Sequence, residues 1–200
     1  PHERVRDAAR AGRAARGVEV RVVLPAEAER FEDVPADDAT VGEVVARGDT
    51  VTPGYWRDPR ATAEAFRGGW FHTGDLGTID GRGSINLVDR AKDVIITGGE
   101  TVYSTEVERS LHEHPAVREA AAFGVPDDTW GEAVRAAVVL KVPASATGAD
   151  LIAFCRARIA SVKCPGAIDL ASALPRTASG KIDKKALREP FWSGRARRVN

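Results

Sequence analysis

The sequence predicts an α+β protein in two parts, a β-rich first part and a second part in which helices and strands alternate. Three observations predict it. Residues 18–24 (VEVRVVL) and 41–47 (VGEVVAR) are β-branched and alternate in polarity, as half-buried strands do. Residues 75–79 and 84–88 flank an Asp80-Gly81 pair, the pattern of a hairpin. From residue 89 onward the rhythm changes to helical and strand segments in turn. The joint is placed at residues 89–93, so the expected parts are 1–88 and 94–200.

The elements follow in order. After the first strand an acidic loop rich in alanine and proline (PAEAERFEDVPADDAT) leads to the second. "VTPGYWRDPRATAEAF" reads as a Pro-Gly turn and a short helix over 60–66, and the hairpin comes next. "DVIITGGETVY" supplies a strand and a glycine-rich turn. A helix is expected over 104–113, with Thr105 as its cap and Glu108 three residues later. Strands are expected over 117–123 and 134–141. Thr147 and Asp150 open a helix that puts Leu151, Cys155 and Ile159 on one face. A strand near 167–171, the loop "PRTASGKIDKK" and a short helix from about 183 complete the chain.

Composition excludes several classes. Among 200 residues, 29 Lys and Arg balance 29 Asp and Glu, so no global field draws nucleic acid or an anionic membrane. The early arginines (Arg4, Arg6, Arg10, Arg13, Arg16) precede no apolar run, which argues against a secretory signal. No stretch approaches a membrane span in length. Cys155 and Cys164 are too few and too far apart for a zinc knuckle, and His112 and His114 point to different helix faces. No metal site is therefore expected, and a cytoplasmic location is. The chain starts at Pro1 rather than Met, so it is expected to be part of something longer.

Each motif has two readings. In "HTGDLG", Asp75 on a tight turn can accept two hydrogen bonds from a vicinal diol, or it can satisfy its own backbone. Arg90 and Lys92, in "DRAKDVIITGGE", can hold a ribose or phosphate and absorb dihedral change, or form a charged linker. Gly98-Gly99 lets a ligand approach the backbone, or simply turns the chain. Trp130-Gly131 reads as a packed aromatic beside a turn. Asp80-Gly81 is no EF-hand: with Gly81 sixth in the loop, Leu76 and Leu87 occupy carboxylate positions. Ser179-Gly180-Lys181 is no Walker A loop, because Pro175 stands where the first glycine must be and has no N–H. Lys181, on a run of small residues, is the strongest single candidate.

Together, "GYWRDPRATAEAFRGGWFHTGDLG", "DRAKDVIITGGETVYSTEVE", "HPAVREAAAFGVPDDTWGE" and "LPRTASGKIDKKALR" resemble, in order and spacing, the adenylate-forming superfamily. "GRAARGVEVRVV" extends the likeness over nearly the whole chain. The chain is thus similar to the C-terminal part of an acyl-CoA synthetase, related to luciferases and peptide-synthetase adenylation domains. The resemblance implies that residues 1–88 end a large domain, including its distorted β-barrel, that 89–93 are a hinge, and that 94–200 are a small mobile α+β domain. It implies that Asp75 and Arg90 contact the ribose of ATP, that Lys92 is the hinge residue, and that Gly98 and Gly99 line the path of the pantetheine arm. Lys181 would catalyse formation of acyl-AMP from a fatty or aryl acid, after which coenzyme A displaces AMP.

Two departures qualify the likeness. Thr101 stands where the family usually has asparagine. The family's phosphate loop and its Tyr-Gly-x-Thr-Glu segment do not occur in this sequence. Triphosphate and Mg²⁺ are therefore expected to be held mainly by an upstream part, and this segment alone is expected to be inactive. The resemblance admits a homodimer. "DRAKDVIITGGE" is closer to ligases than to adenylation domains that load a carrier protein. A truncated, partner-binding paralogue is the reading from another class.

Overall fold

The computed structural model describes residues 10–24 and 31–195. The earliest arginines, the start of the acidic loop and the end of the basic tail lie outside the described residues. The chain divides into two compact units, one ending at Ala91 and one beginning at Lys92.

The first unit is a five-stranded antiparallel sheet, with β1 (Val18–Val23), β2 (Gly42–Gly48), β4 (Trp70–Ile79) and β3 (Phe66–Arg67) in that order and β5 (Ile85–Arg90) pairing β4. Val22, Val44 and Ile85 form one small core, and Val23, Val45 and Trp70 another. Helix α1 (Pro59–Ala65) starts where Asp58 accepts the Ala61 N–H and proline takes the first turn. Asp80 makes the expected turn, its Oδ1 accepting the N–H groups of Arg82 and Ser84. The hairpin's first strand is longer than its sequence suggests, because it begins at Trp70 and also pairs β2.

Two irregularities in β4 shape the region around Asp75. Two steps along β2, Glu43 to Val45, face four along β4, Leu76 back to His72. Thr73, Gly74 and Asp75 thus face Val44 alone, two residues in surplus, and bulge from the ladder. On the other edge Leu76 pairs Asp89 and Gly77 pairs Leu87, so Val88 is skipped and Asp75 comes opposite Arg90.

The second unit is also α+β. Its sheet runs β10 (Ala167–Leu170), β9 (Gly131–Leu140), β6 (Ile95–Thr97) and β7 (Glu100–Val102), with β8 (Val117–Asp127) along β9. Period-two alternation sends side chains to both faces of β8 and β9. Ala120, Ala122, Val134, Ala136 and Val138 meet helices α2 (Ser104–His112) and α3 (Gly148–Arg156) through Val107, Leu111, Leu151 and Cys155. Ala121, Phe123, Ala137 and Val139 meet Leu174, Ile182 and Leu187 on the other face. Leu187 belongs to the last helix, α4 (Lys184–Trp192). Small residues on β8 let both layers come close.

Thr147 and Asp150 make the expected capping box. Helix α2 departs from expectation: its N-cap is Tyr103, which makes no side-chain cap bond, and Thr105 lies inside the first turn. The helix starts at Ser104, where it is expected to start, and that residue is fully buried and receives the Lys184 ammonium. Ile159 lies beyond the end of α3, although it still packs on that core. No helix among the described residues is long and apolar enough to cross a membrane.

Candidate functional site

In the first unit the structure brings Asp75 and Arg90 together. Arg90 Nε donates to Asp75 Oδ1 at 2.7 Å, and its Nη2 reaches the Thr73 carbonyl at 3.3 Å. The bulge that carries Asp75 is held from the neighbouring strand. Thr73 Oγ1 donates to the Val44 carbonyl at 2.7 Å, and the Gly74 N–H donates to Glu43 Oε1 at 3.2 Å. His72 Nδ1 lies 2.8 Å from the other oxygen of Glu43. Thr73 Oγ1 in turn accepts the Asp75 N–H at 3.0 Å. The Asp75 side chain remains 34% exposed, and among the described residues its Oδ2 has no protein partner. An oriented carboxylate with one open oxygen beside a guanidinium fits a vicinal diol: the carboxylate accepts, and the cation balances its charge.

The remaining predicted residues lie in the second unit. Lys92 is exposed, within a single 3-10 turn at Ala91–Asp93. Gly98 and Gly99 form the two-residue turn between β6 and β7 with φ of 58° and 84°, conformations open to glycine at little cost. Trp130 lies across this turn. Its carbonyl accepts the Gly98 N–H at 2.9 Å, and a Cβ on Gly98 would stand 2.6 Å from its ring. At Gly99 an added Cβ meets nothing within 4 Å. Trp130 is 60% exposed rather than packed, so an indole edge and a bare backbone share one surface. Thr129 and Trp130 both donate their N–H groups to Asp127 Oδ1 at 2.9 Å.

Lys181 occupies a closed turn. The Thr177 N–H donates to the Lys181 carbonyl at 2.8 Å, and the Gly180 N–H donates to the Thr177 carbonyl at 2.9 Å. Gly180 sits at φ 83°, which the turn requires and which favours glycine. Arg176 braces the turn, donating to the Gly180 carbonyl at 2.8 Å and to Glu119 Oε2 at 2.7 Å. Ile182 packs inward, whereas Lys181 is exposed and its ammonium has no ion-pair partner among the described residues. The run of small residues is thus an ordered, hydrogen-bonded turn that presents one cation.

The helix that follows is anchored at its far end. Phe191 lies under the Arg135 guanidinium, 4.6 Å from its ring centre. Arg135 forks onto Asp169 at 2.7 and 2.6 Å, and this pairing holds the Asp169 carboxyl below its ordinary value. Among the described residues no group of three or more His, Cys, Asp or Glu side chains could hold a metal ion.

Sequence reasoning missed three supports: Glu43, Arg176 with Glu119, and the placement of Trp130. Only the last had a local signal, the Asp127-Asp128-Thr129 turn preceding it.

Residues 106–181 match the AMP-binding enzyme C-terminal domain family. A feruloyl-CoA synthase from an Amycolatopsis species is 45% identical over 157 residues, 78% of this chain and 32% of that protein. The structure is similar to that of ATP-bound MatB from Rhodopseudomonas palustris, with a TM-score of 0.83 and 36% identity over 92% of this chain and 36% of that one. It is also similar to the amide bond synthetase McbA from Marinactinospora thermotolerans, with a TM-score of 0.82 and 39% identity over 95% of this chain and 38% of that one. The chain spans about a third of the length of the curated relatives it matches.

Proposed function

We propose that this chain, which belongs to the adenylate-forming superfamily, is the C-terminal segment of an AMP-forming acyl-CoA ligase and supplies its catalytic lysine. The observation that carries this reading is the exposed Lys181 ammonium, without an ion-pair partner among the described residues, presented on a braced turn. Forming acyl-AMP brings a carboxylate to the α-phosphate of ATP, so two anions approach and charge gathers on the bridging oxygens. A fixed cation lowers that barrier. Asp75 would accept from the ribose hydroxyls while Arg90 fixes its orientation. Gly99, with open space beside it, would let the pantetheine arm pass close to the backbone beneath Trp130. Lys92 would be the pivot that brings first Lys181 and then the glycine turn to the acyl carbonyl. Mg²⁺ would accompany ATP, held with the triphosphate mainly by residues outside this chain.

The test separates the half-reactions. In the complete protein, Lys181→Ala is expected to slow acyl-AMP formation from a free acid by about 10²–10³-fold. Thioester formation from a supplied acyl-adenylate should stay near the parental rate, because the cation has withdrawn by then. Equal loss in both halves, or full adenylation by the variant, overturns the assignment. The likeness to an amide bond synthetase supports a second reading, in which an amine rather than coenzyme A accepts the acyl group. Offering both acceptors to a preformed adenylate decides between them.

A further inference from the structure

Helix α4 is held by a polar stripe. Lys184, Arg188 and Trp192 recur every four residues and so share one face. Lys184 Nζ lies 2.7 Å from Ser104 Oγ and 2.7 Å from Glu108 Oε1. Trp192 Nε1 donates to the Gly124 carbonyl at 3.0 Å. Between them, one nitrogen of Arg188, Nη1, donates to the Lys92 carbonyl at 3.2 Å and to Asp93 Oδ1 at 3.0 Å. No residue of α4 is fully buried, so these directed contacts, with Leu187 and Phe191, fix where the helix lies. The Arg188–Asp93 pair is the most enclosed of them, its side chains 14% and 10% exposed.

We infer that Arg188 is a positioning residue that stops the joint at Lys92 from spreading into Asp93 and the second unit; the inference rests on the hinge reading above. A carbonyl oxygen rides on the atom beyond ψ, and the peptide that follows is planar. Turning φ or ψ of Lys92 therefore leaves its carbonyl with Asp93 and all that comes after. Arg188 grips that carbonyl and the Asp93 carboxylate together, so the Lys92–Asp93 peptide moves as part of the second unit. The soft torsions of the joint then end at Lys92, and on that side the joint is sharp rather than spread into Asp93 and beyond. The gripping helix begins three residues after Lys181, so the lysine turn and the pivot are tied through one element. A sharp joint returns Lys181 to the same place in each cycle. A slack one would scatter it.

The test uses Arg188→Gln, Arg188→Lys and Lys92→Pro in the complete protein. Arg188→Gln is expected to speed backbone hydrogen exchange in peptides covering 92–96 by on the order of tenfold, with the helix α2 and strand β8 peptides unchanged. Its kcat for thioester formation should fall between about tenfold and a hundredfold while the KM for ATP holds, because misplacement rather than lost binding is the defect. Arg188→Lys keeps the charge and one contact and should recover part of the rate. A parental kcat in Arg188→Gln, or exchange that rises evenly through the second unit, overturns the inference. Lys92→Pro separates the two layers of the argument. If it spares both half-reactions, the hinge reading falls and this inference with it. If it stops one half-reaction while Arg188→Gln alters neither, only the clamp falls.

Discussion

Alanine at Gly98 and at Gly99 probes the same turn with two different penalties. Both glycines have positive φ, so an alanine at either site costs about 1–2 kcal/mol of left-handed backbone. They differ in what the new methyl meets. At Gly99 nothing lies within 4 Å, whereas at Gly98 the Trp130 ring lies at 2.6 Å. Carbon atoms settle at about 3.5–4.0 Å, so the indole must retreat by roughly an ångström. Because Trp130 is 60% exposed, it can give way by leaving its rotamer, at a further cost of about 0.5–1.5 kcal/mol. Native-state hydrogen exchange of the Ile95–Val102 hairpin reads both terms. Gly99→Ala should speed it by about 5–30-fold, and Gly98→Ala by roughly a further two- to tenfold. Removing the ring in Gly98→Ala/Trp130→Ala should cancel the second factor, a coupling that a double-mutant cycle isolates. Equal effects at the two glycines, or strict additivity with Trp130→Ala, would refute the claim that the indole rests on Gly98.

Two further outcomes are expected. Asp75→Ala should weaken ATP binding by about ten- to a hundredfold in calorimetry, since charge-assisted bonds to a diol contribute about 1.5–3 kcal/mol each before water competes at a site 34% exposed; unchanged affinity would leave Asp75 only its structural role. Asp169→Asn should destabilise the protein at neutral pH, and the difference should close as pH falls. The sign follows from Asp169 being held below its ordinary value of 3.8 by Arg135: its contribution is present above that value and is lost on acidification through the depressed one. With the side chain 45% exposed the effect is small, and a gap that widens in acid would contradict it.

What was legible in the sequence was local. The Asp80 turn, the Thr147–Asp150 capping box and the Gly98-Gly99 turn each involve residues within four positions of one another, and each forms. The Asp58 cap of α1 is equally local but went unread, because the acidic residue stands in a stretch dominated by turn formers. Thr105 is not the cap, because α2 is already under way at Ser104, whose buried hydroxyl receives Lys184 from 80 positions away. The site depends on such distant partners throughout. The bulge at Asp75 exists only because β2 pairs across it, and Glu43 holds Gly74 from 31 positions away. Arg176 meets Glu119 across 57. Periodicity cannot register a side chain that reaches another strand.

The braced turn also changes what must move in the proposed mechanism. A lysine on a bare flexible loop would lose conformational entropy each time it engaged substrate, at about 1–2 kcal/mol for every backbone residue that becomes fixed. Here folding has already met that cost. Leu174 and Ile182 are packed beneath β8 and β9, the Thr177–Gly180 turn closes on itself, and Arg176 ties the Gly180 carbonyl to Glu119. Only the lysine's own side-chain torsions remain loose. A cation so fixed on its unit cannot leave the acyl carbonyl by relaxing its loop, because that would break the turn's bonds and pull Ile182 from the core. If coenzyme A is to reach the carbonyl afterwards, the whole second unit must turn. On the proposed mechanism the rigidity of the lysine turn thus calls for a pivot outside it, and Lys92, whose carbonyl is gripped by the helix leading from that turn, is where the second unit begins.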